Sequence, residues 1–357
     1  MLKKVIIVIV AIIVAIIIGV FSWYNISIGA INKKETEQIS VEIKLGSGTT
    51  TIARTLKDEN LIKSINAFKI YVKLNNITTF QAGTYYLSKN MDVKEITQVL
   101  QTGKVESEEQ ISITFVEGKN MRWVASKIAQ ETNNTENDVY SLLEDENYID
   151  FLIEKYWFIT DEIKNEDIYY PLEGYLFPNT YQFENKDVSV EKIFETLLNQ
   201  MEKQLDKYRE EIKKSKYSVH EILTISSIIE NEAVFDKDRK DISSVIYNRL
   251  NSNMAIGSDV TTYYALKIDM GTRDLYASEI STYNPYNTRG PNMQGKLPVG
   301  PISMVGLSSI EAAINPNETS YIYFVADKDG NVYFTRTYDE HLKKISELKN
   351  SGLWIEF

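Results

Sequence analysis

Glu230 and Glu232 are the carboxylates of VHEILTISSIIENEAVF (residues 219–235), a stretch apolar over most of a helical circumference. On that helix His220, Thr224, Ser227 and Asn231 form one polar stripe, and a helix otherwise apolar all round belongs in a core. Glu230 lies off the stripe, with Leu223, Ser226, Ala233 and Val234 at helical spacing from it. A carboxyl group there loses solvation of its charged form, the condition for a proton donor near neutral pH. Small Ser226 and Ala233 leave room beside it for a ligand, whereas a structural glutamate would pair with an arginine such as Arg239 or Arg249. Glu232 faces Glu221, Ile225 and Ile228 on the opposite side. Helical spacing narrows a general acid to Glu230 or Glu232 and does not choose between them.

Other chemistries fall away by composition. There is no cysteine, and His220 and His341 are the only histidines, so thiolate nucleophiles, disulfides and Cys/His zinc sites lack their residues. A net charge of −11 without a Lys/Arg stripe argues against a nucleic-acid partner. Polar positions gather downstream in weakly regular segments: Asp259 in GSDVTTYYAL, Tyr286, Asn287 and Thr288 in NPYNTRG, and the loop with Pro298, Gly300 and Pro301. Amides that bond hydroxyls and aromatic faces that stack on pyranose rings suit a sugar groove around a helix-borne acid.

The elements that must position these groups read as an α+β chain. Residues 5–24 are uncharged and apolar, and about 20 helical residues span a bilayer core. They predict a single-pass transmembrane helix after a cytoplasmic stub (residues 1–4) carrying Lys3 and Lys4, with Trp23 and Tyr24 at the interface and the bulk outside. A polar juxtamembrane linker follows over 25–40. A strand at 41–45, a glycine turn at 46–48 and a helix carrying Ile52, Ala53 and Leu56 then come in order. The same order returns at 111–128, as if a small strand-turn-helix unit were duplicated, with a strand at 82–87 and an amphipathic helix at 93–100 between the copies. Near residue 166 an acidic helical stretch gives way to PLEGYLFPNTYQF (171–183), where a larger domain is expected to begin. Helices are expected over 191–214 and 223–235, and a hairpin from 321–327 and 331–337.

From about residue 41 to the C-terminus the chain resembles the YceG-like family, the endolytic murein transglycosylases. The resemblance rests on AGTY (82–85), VEG (116–118), LEGYLFPNTY (172–181), SSIIENEA (226–233), SSVIYNRL (243–250), YNT (286–288), LPVGPIS (297–303), AAINP (312–316) and YFVAD (323–327). It implies an N-terminal anchor, a LysM-like α/β region (41–165) and a larger α+β catalytic domain (166–357) with a buried catalytic helix. It also places the family's catalytic glutamate on Glu230, the first Glu of SIIE-x-E. The implied chemistry is non-hydrolytic cleavage of the MurNAc-GlcNAc β-1,4 bond of peptidoglycan to a 1,6-anhydro end, beside the wall-synthesis machinery, with no metal or organic cofactor. In that setting Tyr286, Asn287 and Thr288 are the candidates for holding the sugar, and Glu173 and Asp259 for positioning or electrostatic support. A muramidase-type hydrolase would use Asp259 or Glu173 as a second carboxylate, and a non-catalytic wall-binding scaffold would use the duplicated units. The chain departs from the family pattern at Asp259-Val260-Thr261, where Asp-Pro-Thr is usual, at Arg289 after YNT, and in a longer loop over 289–296.

Overall fold

A computed structural model describes residues 2–36, 38–102 and 110–354, with side chains from Val14 onward. The chain divides into two compact units, Met1–Glu109 and Gln110–Phe357.

The first unit opens with helix α1 (Leu2–Ile28). The expected membrane span, residues 5–24, lies within it, but the side chains of its first nine residues fall outside the described ones. Among the described residues no helix is long and apolar enough to cross a membrane. From Val14 to Ile26, α1 nevertheless leaves Ile16, Ile17, Ile18, Val20 and Phe21 exposed. A β-α-α-β arrangement follows: β1 (Gln38–Ile43), α2 (Thr49–Asp58), α3 (Ile65–Leu74) and β2 (Gly83–Ser88), then α4 (Val93–Thr102). The strands pair antiparallel with Val41 opposite Tyr85. Period-two alternation buries Val41 and Ile43 against Ile52, Leu56, Phe68 and Leu87, the unit's own core. Strand β1 starts at Gln38, so the last residues of the expected linker are already paired.

The second unit runs β3 (Ile111–Thr114), α5 (Met121–Glu131), α6 (Glu136–Leu143), α7 (Glu146–Lys155), β4 (Thr180–Phe183), α8 (Val190–Leu205), α9 (Arg209–Lys214), α10 (Val219–Glu232), α11 (Asp236–Asn251), α12 (Asp259–Ala265), α13 (Ala277–Ile280), α14 (Leu307–Ile314), β5 (Tyr323–Ala326), β6 (Val332–Thr335) and α15 (Tyr338–Asn350). The boundary expected near residue 166 is corrected to the step between Glu109 and Gln110. The reason is packing. Ile113, Phe115, Val124 and Ile128, read as a second copy of the first unit, share one core with Ile225, Ile228 and Tyr286. Strand β3 pairs antiparallel with β4, Ile113 opposite Tyr181, and thus with the aromatic segment expected to be irregular. The hairpin forms where expected, with Ala326 opposite Val332.

Candidate active site

Helix α10 begins at a capping box, in which Ser218 Oγ accepts from the Glu221 N–H and the Glu221 carboxylate accepts from the Ser218 N–H. Its apolar faces are buried, with Leu223, Ile225 and Ile229 fully enclosed. His220 is clamped between Tyr175 Oη at 2.8 Å and the Val299 carbonyl at 2.9 Å. The helix stops at Glu232 because Ala233 is extended, and α11 starts four residues later, folding back so that Arg239 reaches the end of α10.

Glu230 is therefore an ion-paired carboxylate. Its Oε1 lies 3.1 Å from Arg239 Nη2, its Oε2 accepts from the Gly306 N–H at 2.9 Å, and its side chain is 5% exposed. Of the two environments weighed from the sequence, an acid in unpartnered apolar surroundings and a glutamate under Arg239, the second is present. Arg239 is itself shared, with Nε on Asp236 at 2.9 Å and Nη1 on Ser309 Oγ.

Glu232 points the other way, into a cavity of about 870 Å³ lined also by Asn231, Arg249, Asp259, Arg273 and Arg289. This volume suits a small-molecule or oligosaccharide segment. Ser258 Oγ donates to Glu232 at 2.6 Å. Burial, with a smaller push from Asp259, holds the Glu232 carboxyl above the usual glutamate value, against the pull of Ser258, Arg289 and Arg249. Asp259, in the first turn of α12, forms an ion pair with Arg289 at the same cavity.

The other expected site residues serve the frame. Ser226 is fully buried and its hydroxyl donates to the Ile222 carbonyl at 2.7 Å, so no space for a ligand opens there. Tyr286, Asn287 and Thr288, expected to hold sugar, are buried. The Tyr286 ring packs 4.8 Å from both Tyr169 and Tyr264. The Asn287 amide donates to the carbonyls of Thr282 and Ile280, and its Oδ1 accepts from Thr262. Thr288 Oγ1 bonds Thr261 and accepts from the Ser258 N–H. Together they pin the 284–290 loop to α12, which sets Ser258, Asp259 and Arg289 at the cavity rim. Loop backbone needs such internal partners when it is buried.

Glu173 is 1% exposed and does not line the cavity. One oxygen accepts from the Met121 N–H at 2.9 Å and Tyr264 Oη at 3.0 Å, while the other makes no hydrogen bond of normal geometry among the described residues. Burial pushes its carboxyl up to about 7 from 4.5. The folded chain thus takes up a proton at Glu173 between these values. Its contribution to stability is full below pH 4.5, declines as pH rises to about 7, and is flat above. At roughly 1.4 kcal/mol per pH unit the decline is on the order of 3 kcal/mol. Glu173→Gln is expected to remove it, so that thermal melts at pH 5 and pH 8 lie closer together than in the wild type. An unchanged pH dependence would refute the assignment.

One acidic residue near Glu230 was not singled out in the sequence. Glu117, in the VEG segment, lies exposed beside Glu230 and Arg239, and its carboxyl is raised by partial desolvation and then by the Glu230 charge. Its only local signal was an acid preceding a turn glycine.

The family profile described as the YceG-like family matches residues 41–347. The chain belongs to the YceG-like family. Within that family it is 39% identical over 332 residues, 92% of its length and 89% of the other's, to an endolytic murein transglycosylase of Bacillus subtilis. It is 31% identical to an endolytic murein transglycosylase of Streptococcus pneumoniae, over 90% of this chain and 60% of that one. Among solved structures, a YceG-like protein from Listeria monocytogenes superposes with a TM-score of 0.62 at 38% identity, over 86% of this chain and 99% of that one.

Proposed function

We propose that this YceG-like chain is an endolytic murein transglycosylase in which Glu230 does the proton transfers. The observation that carries the reading is a carboxylate fixed on both oxygens, by Arg239 and the Gly306 N–H, in the last turn of a buried helix. The first Glu of the SIIE-x-E motif stands at that position.

In this mechanism Glu230 gives a proton to the oxygen of the MurNAc-GlcNAc β-1,4 bond as positive charge develops at C1 of MurNAc. The C6 hydroxyl of the same MurNAc then closes onto C1 and returns its proton to Glu230, leaving a 1,6-anhydro end. No water is consumed. Cutting inside nascent strands releases or terminates them. The exposed apolar side chains of α1 between Val14 and Ile26, continuous with the uncharged run before them, support a membrane anchor, and Lys3 and Lys4 before that run favour the catalytic unit on the outer side, where nascent glycan is made.

Mass spectrometry of purified glycan digested by the full chain in detergent is expected to find anhydro-MurNAc ends. Hydrated reducing ends would replace this reading with a hydrolase using a second carboxylate, and intact strands with a scaffold.

One observation favours a second assignment of the acid. Glu232, not Glu230, faces the large cavity and has a proton-favouring environment. If Glu232→Gln stops cutting while Glu230→Gln does not, Glu232 is the acid.

A further inference from the structure

An ion-paired carboxylate holds a proton poorly unless a second negative charge stands close to it, and Glu230 has such a neighbour in Glu117. Arg239 is taken up by Asp236 at its Nε, by Glu230 at its Nη2 and by Ser309 at its Nη1, and Glu117 lies near enough to Glu230 and Arg239 to feel both charges. The Glu117 segment is locked to residues 304–306 by two backbone hydrogen bonds: the Gly118 N–H donates to the Met304 carbonyl at 2.9 Å and the Met304 N–H to the Lys119 carbonyl at 2.8 Å. The Glu117 carboxyl rests on the bare Cα of Gly306, where an added Cβ would stand 2.2 Å from its Oε1. Gly306 is also the residue whose N–H holds Glu230. On the other side, a Cβ added to Gly118 would lie 4.0 Å from Glu230 Cγ. One glycine thus separates the two carboxyls, and a substituent on it would drive Glu117 away.

The charged groups facing Glu117 are Glu230 from α10 and Arg239 and Asp236 from α11, while Met304, Val305 and Gly306 add none. Three carboxylates against one guanidinium leave a local charge of −2, which a single bound proton reduces to −1.

We propose that Glu117 is a positioning residue for proton transfer: its carboxylate, set across Gly306 from Glu230, offsets the pull of Arg239, so that the pair retains one shared proton and Glu230 can act as an acid despite its ion pair. This rests on the reading that Glu230 works on the glycan. Glu117→Gln removes that neighbouring charge and leaves Arg239 to hold Glu230 as an anion.

The test is the pH dependence of kcat/KM for glycan cutting by the full chain, wild type beside Glu117→Gln, Glu117→Asp and Glu230→Gln. The alkaline limb of Glu117→Gln is expected to move about one pH unit lower, a ~10-fold loss above the limb and little change below it. Glu117→Asp should fall between Glu117→Gln and the wild type. If Glu117→Gln lowers kcat/KM by one factor at every pH, or changes nothing, the proposal is overturned and Glu117 is only a packing residue. Should Glu117→Gln not fold, Glu117→Asp carries the test: an alkaline limb shifted lower supports the proposal and an unshifted limb overturns it. Retained cutting by Glu230→Gln would instead remove Glu230 itself, whatever Glu117→Gln shows.

Discussion

Glu230→Gln is expected to lower glycan cleavage by about 10²–10⁴-fold, the share of a rate that one positioned acid supplies, with little change in melting temperature. Glutamine keeps an oxygen able to accept from the Gly306 N–H or from Arg239, and the guanidinium retains Asp236 and Ser309. Arg239 is thus not stranded as an unpaired buried charge, the usual reason that breaking an ion pair unfolds a site. Loss of activity without loss of fold separates a chemical role from a structural one. Glu232→Gln is the comparison: it removes the carboxylate of the adjoining cavity and is expected to cut within about 10-fold of wild type, since Glu232 there binds or orients rather than reacts. Initial rates of strand shortening, with melting curves on the same preparations, decide the matter. A melting temperature that falls with the rate in Glu230→Gln would return that residue to the frame.

What was legible in the residues was what short-range pattern controls. Helix α10 and its burial follow from apolar residues at helical spacing, although it runs Val219–Glu232 rather than 223–235 and its Ser218 cap was not read, and the β5–β6 hairpin follows from two short runs around Lys328, Asp329 and Gly330. Arg239 was named as one possible partner of Glu230, but that it is present, rather than Arg249 or no arginine, was not legible, because a helical wheel sees only its own helix, and Arg239 arrives from α11 through a bend at Ala233. The unit boundary was missed for a related reason. Residues 111–128 repeat the local pattern of 41–56, but local pattern does not say which strand pairs with which, and β3 finds β4 across 66 residues, as Thr114 and Thr180 show. Tyr286, Asn287 and Thr288 misled in the opposite direction. Polar residues in a Gly- and Pro-rich loop suggest ligand contact, and here the same groups satisfy buried loop backbone instead. Glu117 carries no periodic signal, since its significance comes wholly from the backbone pairing that lays it on Gly306.

Gly174→Ala is expected to cost about 2–5 kcal/mol and to reduce cutting through the same loop. Gly174 has φ +79°, a conformation an L side chain adopts only under strain, and an added Cβ would stand 2.3 Å from Pro301 Cβ and 2.8 Å from its Cγ. A proline ring cannot swing aside as the end of a long side chain can, so the backbone must shift, and overpacking of this kind typically costs about 1–3 kcal/mol on top of the dihedral strain. At about 2–4 °C per kcal/mol for a unit of this size, the melting temperature should fall by roughly 5–15 °C. The displaced segment is the one that holds the end of α10. The Ile302 N–H donates to Ser227 Oγ at 3.0 Å, Ser303 Oγ accepts from the Asn231 amide at 2.8 Å, and three residues on the Gly306 N–H holds Glu230. A shift of the loop by a few tenths of an ångström would lengthen these bonds in turn. Catalysis is therefore expected to fall even at temperatures where Gly174→Ala remains folded, because a misplaced acid loses rate steeply. A variant that melts lower yet cuts at the wild-type rate would show that the loop supports the fold without setting the position of Glu230.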